Sequence, residues 1–199
     1  MGRRHLPALL IAFLVAAPAL AQSPVPTQTV PAPKTKNTTV PAPAPLPEVI
    51  RDFSRLPEPV RAMRERILAA ARTGDPAKVA ELMKSLDPVP VYSFGADNDP
   101  LGYWKSSYPD SDGIEALSIL IEVLESPFVH ADKGTPQEMY LWPYFAGMPL
   151  AALTPEQKVE LFKIVTGSDW KEMQEFGAYI FYRVGIAPNG SWQFFVAGD

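Results

Sequence analysis

The sequence contains no cysteine. That absence removes disulfides, thiol nucleophiles and thiolate metal ligands, and with them the lipid attachment of a bacterial lipoprotein. Histidine is almost as scarce, with only His5 and His130. His5 falls in the leader described below, and a lone His130 without cysteine makes a poor zinc set. No G-x-S-x-G elbow occurs, so serine-hydrolase chemistry has no handle. No acidic residue precedes Glu48. Nor does any uninterrupted apolar run reach the about 20 residues of a membrane span. The longest, bracketed by Pro7 and Pro18, is about half that length.

That short run belongs to "MGRRHLPALLIAFLVAAPALA", which has the layout of a secretory signal peptide. Arg3 and Arg4 form its basic start, and Ala19-Leu20-Ala21 is a small-x-small cleavage site. Residues 1–21 are therefore expected to be a leader removed on export to the periplasm or the exterior. Residues 22–47, "QSPVPTQTVPAPKTKNTTVPAPAPLP", alternate Pro, Ala, Thr and Val. Such a composition buries too little surface to fold and predicts an extended, disordered tether. Residues 48–199 are the size of one globular domain. They hold all 22 acids and 14 of the 18 bases, a formal charge of −8. A body this acidic repels phosphate backbones and anionic membrane surfaces, which argues against nucleic acid or membrane as partner once the leader is gone.

Within this domain the apolar periodicity predicts about five helices. The first, over 58–72, turns Val60, Met63, Ile67 and Ala71 to one side; the second, over 76–86, turns Val79, Leu82, Met83 and Leu86. The third, over 113–126, confines Glu115, Ser118, Glu122 and Glu125 to one narrow stripe. Its remaining residues, including Ile114, Leu117, Leu120, Ile121 and Leu124, are apolar, which predicts a central buried helix. Two more are expected over 155–166, packing Val159, Phe162 and Val165, and over 169–176, packing Trp170, Met173 and Phe176. Asp75-Pro76 and capping-box spacings at Asp112, Thr135, Thr154 and Asp169 mark helix starts.

The last stretch changes period. Pro188-Asn189-Gly190 suits a three-residue hairpin loop with Gly190 at positive φ. This loop predicts an antiparallel β-hairpin over 178–198 pairing Ile186 with Trp192, Val184 with Phe194 and Tyr182 with Val196. Arg183, Gly185, Gln193 and Phe195 then take the opposite face, open to water. An isolated hairpin is barely stable, so its Trp192 and Phe194 side must dock on the helices, with a third short strand near 89–94 a candidate neighbour. The expected fold class is α+β.

Three stretches could carry chemistry. Asp97, Asp99, Asp110 and Asp112 cluster in a long loop, 95–112, but their spacing fails a calcium loop: it puts Tyr108 and Ile119 where ligands belong. Turn and capping roles account for them, and no metal or other cofactor is expected. His130 could act as a base with Asp132, or as a ligand with Asp110 or Glu138; a half-exposed structural histidine is the plainer reading. Tyr103, Trp104, Tyr140 and Trp142 flank the central helix and suit either a groove for glycan or peptide, or plain core.

The segments "YLWPYFA" at 140–146 and "FYRVGIAPNGSWQFFVAGD" at 181–199 resemble a family of exported alphaproteobacterial proteins of the rhizobial type, whose activity is unknown. The resemblance covers about 89–199 and implies bacterial export and an intact terminal hairpin. The expectation is a non-enzymatic envelope-associated domain that binds an envelope protein or glycan. The alternative is a carboxylate-based envelope hydrolase acting on glycan or peptide.

Overall fold

The computed structural model describes residues 45–95 and 98–198. The leader at 1–21, the linker up to residue 44 and Asp97 of the acidic loop lie outside the described residues. Six α-helices and a four-stranded antiparallel sheet make an α+β fold among the described residues.

Helix α1, Glu58–Ala71, buries Val60, Met63, Ile67 and Ala71 as its periodicity predicts. Helix α2, Pro76–Lys84, opens on Asp75, whose carboxylate accepts from the Ala77 N–H, and buries Val79, Ala80 and Met83. Between α2 and the central helix lies α3, Pro100–Ser107, in the stretch expected to be loop. Asp99 caps it through the Gly102 N–H, and Pro100 occupies its first turn. Its single inward tryptophan, Trp104, gives no readable period. Helix α4, Ile114–Glu125, is the buried centre: Ala116, Leu117, Leu120, Val123 and Leu124 are inside, and the four-residue polar stripe is exposed. Ile114, expected inside, is exposed because it opens the helix before the packed turns begin.

Several start signals resolve differently. At α5, Pro155–Leu161, the capping box holds, with Thr154 and Gln157 bonded reciprocally. At α6, Gly167–Phe176, the cap lies three residues before the expected Asp169: it is Thr166, and Asp169 is its reciprocal partner. Asp112 is no cap; it adopts a left-handed conformation, φ 51°, and Ser111 Oγ accepts from the Glu115 N–H instead. Thr135 begins no helix but closes a turn between strands, accepting from the Gln137 N–H. The inward faces of α5 and α6 also differ from expectation. Val159, Phe162 and Phe176, expected inside, are exposed; Val165 and Met173 are buried as expected, and Leu161 joins them. These helices are short, and a two-turn helix offers too few apolar positions to define a face.

The sheet runs β1 (Val129–Ala131), β2 (Met139–Trp142), β3 (Arg183–Ile186), β4 (Trp192–Val196), in that order. Strands β1 and β2 leave no strand period in the sequence. Both sheet faces are covered, so Tyr140, Leu141 and Trp142 are all buried and no polar alternation betrays the strand. On one face Tyr140, Trp142, Val184, Ile186, Trp192 and Phe195 join the core formed with α1, α2, α3 and α4. On the other, Val129 and Leu141 join Tyr144, Phe145, Leu161, Val165 and Met173, beneath α5 and α6. The segment at 89–94 contributes one parallel bridge rather than a strand: Val91 donates to Gln193 O at 2.9 Å and accepts from Phe195 N at 2.8 Å.

The terminal hairpin turns as expected, Gly190 holding φ 87° between Ala187 and Ser191. Ile186 pairs with Trp192, but the register then shifts. A bulge between Gly185 and Ile186 re-pairs Gly185 with Phe194, Val184 with Phe195 and Arg183 with Val196. One extra residue inverts every side chain beyond it. Phe195, not Phe194, therefore enters the main core beside Trp192, and Phe194 lies on the second face. The second face is consequently packed rather than wet.

Gly185 accommodates this inversion. A Cβ there would stand 2.5 Å from Phe194 Cζ and 3.1 Å from Met139 Sδ, so the ring occupies the missing side chain's place. Gly185→Val should cost about 1–3 kcal/mol in urea unfolding by forcing the ring off the sheet. Unchanged stability would show that Phe194 does not rest there.

Candidate functional site

The four aromatic residues proposed for a groove do not form one. Trp104 on α3 and Trp142 on β2 have no exposed surface, and Tyr140 is buried. Phe128 lies 6.0 Å from the Tyr140 ring and 5.1 Å from that of Trp142, while Trp104 meets Phe195 edge-on at 6.2 Å. Tyr103 is half-buried and tilts against Tyr92. These rings build the core, because a sheet covered on both faces needs large apolar volume between its layers.

His130 pairs with Glu138 and not with Asp132 or Asp110: Nε2 and Oε1 are 2.6 Å apart. The imidazole stacks on Tyr140 at 4.4 Å, and the second Glu138 oxygen accepts from the Gly134 N–H at 2.9 Å. That backbone bond first, and the imidazole second, hold the Glu138 carboxyl below its usual range. The pair thereby pins the β1–β2 turn. Glu48, Ile50, Arg55 and Lys133 complete a hollow beside it, but Arg55 is already bonded to Glu48 at 2.6 Å. Asp99, the cap of α3, also bonds Lys84, and Asp112, in its left-handed turn, bonds Lys105. No group of three or more metal-ligating side chains occurs among the described residues.

The larger opening is elsewhere. A cleft of about 320 Å³ lies where the segment at Arg51, the end of α4 and α5 meet. Its floor includes Pro127, Phe145 and Ile164, and its edge carries Arg51, Glu122, Glu125, Glu160 and Lys163. Each element delivers its residue for a local reason. The bridge between Ile50 and Phe128 ties the entering chain to the end of α4, and the Thr154 capping box fixes where α5 begins, hence where Glu160 falls.

One network stiffens the cleft. Arg51 grips Glu160 with two nitrogens, at 2.8 and 3.1 Å. The phenol of Tyr144, a residue with no exposed surface, donates to the same carboxylate at 2.8 Å. Burial works against the charged form of Glu160, but the hydrogen bonds from Arg51 and Tyr144 outweigh it, and its carboxyl stays below the ordinary value of 4.5. Burial first, and the adjacent carboxylate second, push the Tyr144 hydroxyl far up, so it remains a donor throughout the useful pH range. This set leaves no signal in the sequence. Arg51, Tyr144 and Glu160 sit in three separate segments, and nothing in their spacing announces that they meet.

The network sets a pH dependence. A carboxylate with a depressed folded-state pKa contributes stability above its unfolded value and loses that contribution as pH falls through the folded one. Tyr144→Phe should cost about 1–2 kcal/mol at neutral pH, the range for a hydrogen bond to a charged group in a partly solvated site. The difference from wild type should shrink once pH falls below 4.5. A gap that persists unchanged at low pH would mean that the Tyr144 hydroxyl contributes independently of the Glu160 charge.

No protein-family model, curated protein or solved structure matches this chain. Among the described residues no helix is long and apolar enough to cross a membrane.

Proposed function

We propose that the chain is an exported, envelope-associated binding domain, with the cleft at Arg51, Glu122, Glu160 and Lys163 as its binding site. The observation that carries the reading is the preorganised wall of that cleft. A buried tyrosine and a bidentate arginine hold Glu160 beside a concave surface with an apolar floor. Ligand sites combine concavity, apolar lining and a few fixed polar groups in this way. The signal-peptide layout of residues 1–21 and the linker-like composition of 22–47 support export. The partner is a small soluble fragment of an envelope protein or glycan, of the size that the cleft admits.

The alternative, a carboxylate-based hydrolase, needs a carboxylic acid kept protonated near neutral pH. Among the described residues the carboxylates with displaced pKa values, Glu48, Asp52, Asp99, Glu138, Glu156 and Glu160, are all displaced downward. That direction favours fixed anions over a general acid, and so favours binding over hydrolysis.

The test has two arms. Expressed with its leader in an alphaproteobacterial host, the chain should be recovered from the periplasmic fraction or the medium, shortened by residues 1–21. The recovered protein should retain soluble envelope fragments, peptides and glycans alike. Glu122→Trp, a bulky residue at an exposed helix position on the cleft edge, should release them. Cytoplasmic accumulation of the unshortened chain would overturn export. Equal retention by both proteins would overturn the cleft as the site.

A further inference from the structure

The cleft carries unpaired charge of both signs. On the α4 side, Glu122 and Glu125 occupy the last turn of the helix, and that turn has no basic residue. A helix places partial negative charge at its carboxyl end, so acids there stand against the field. Arg72 offsets Glu125 through an ion pair at 2.6 Å, and Arg64 meets the carboxyl end of the helix by donating to Leu124 O at 2.9 Å. Among the described residues Glu122 has no ion-pair partner, and neither has Lys163 on the α5 side, whose charge acts on Glu160 only from beyond ion-pair distance. The other cation of the cleft, Arg51, is committed to Glu160 by two contacts. One anionic pole and one cationic pole are therefore left without a partner at ion-pair distance, and the lining also includes the half-buried apolar surface of Pro127 and Ile164.

We propose that this cleft binds a zwitterionic ligand of amino-acid to dipeptide size with an apolar side chain. Its ammonium group sits at Glu122, the carboxylate of that last turn without an ion pair. Its carboxylate sits at Lys163, and its side chain lies on Pro127 and Ile164. A volume of about 320 Å³ is at the bottom of the range for ligand pockets, which suits one or two residues and excludes a long oligomer. The inference rests on the reading of this cleft as the binding site, and it adds the chemistry of the occupant.

Calorimetric titration of the full chain with L-alanyl-L-leucine, its N-acetylated form and its C-amidated form tests the assignment. The free dipeptide should bind, and each capped form should bind about tenfold more weakly, the effect of losing one charge-assisted contact. Glu122→Gln should abolish the preference for the free amine, and Lys163→Gln the preference for the free carboxylate. Both sites are exposed, so both variants should melt as wild type does. Equal binding of capped and free forms, or no heat with the free dipeptide at millimolar concentration, overturns the proposal. If envelope fragments are then still retained and still released by Glu122→Trp, the ligand class falls and the cleft remains. If retention fails as well, both fall.

Discussion

Trp142→Ala should destabilise the protein by about 3–5 kcal/mol, the usual cost of emptying a buried tryptophan site. For a domain of this size that loss lowers Tm by roughly 10–15 °C. Trp142 has no exposed surface and lies where β2 meets Phe128 and Val184, between the bridge from Ile50 and the sheet interior. Truncation would leave a cavity that neighbours on two strands cannot both move to fill. One term acts the other way: among the described residues the Trp142 indole N–H is buried without an acceptor. Replacement by phenylalanine removes that unpaired donor while keeping most of the ring volume, so Trp142→Phe should cost far less than Trp142→Ala. Thermal unfolding of the two variants checks this. Similar losses for both would mean that the indole nitrogen, not ring volume, is what the site requires.

The second large effect is a contrast between adjacent residues. Phe195→Ala should cost about 3–5 kcal/mol, because its ring has no exposed surface and packs on Trp104 and Tyr182. Phe194→Ala should cost about half as much, since that ring is only partly buried and covers Gly185 from the other side. Strict alternation from the Ile186–Trp192 pair predicts the reverse order. Urea titration of both variants therefore reads the bulge directly: a larger loss at Phe194 would place the hairpin in its unbulged register.

How much was legible follows from which signals are local. The faces of α1 and α4 could be read because each spans three or more turns, enough for Val60, Met63 and Ile67, or Leu117, Leu120 and Leu124, to define a side. The hairpin loop could be read because Gly190 at positive φ is a requirement of the turn itself. The bulge at Gly185 was not legible, since the same residues satisfy either register until the second apolar layer under α5 and α6 is present. Likewise β2 hid behind its own hydrophobicity. The cleft was least visible of all. Aromatic density pointed to Trp104 and Trp142, which the core consumes, while the cleft uses ordinary charged residues whose meaning comes only from their meeting.

That meeting also separates Glu160 from the other acids of this acidic domain. Surface ion pairs contribute little, and those at Glu48, Glu81 and Asp99 are of that kind. Glu160 differs because a buried phenol joins it to the core, so the position of the carboxylate is set before any ligand arrives. Preorganisation of this sort lowers the ordering cost of binding.

Backbone amide chemical-shift mapping of the full chain during titration with envelope fragments addresses the cleft most directly. The largest displacements should fall together at Arg51, Glu122, Ser126, Phe145 and Lys163, and Glu122→Trp should abolish them. Displacements gathered instead around His130 and Lys133, or around Trp170, would put the binding surface elsewhere and contradict the account.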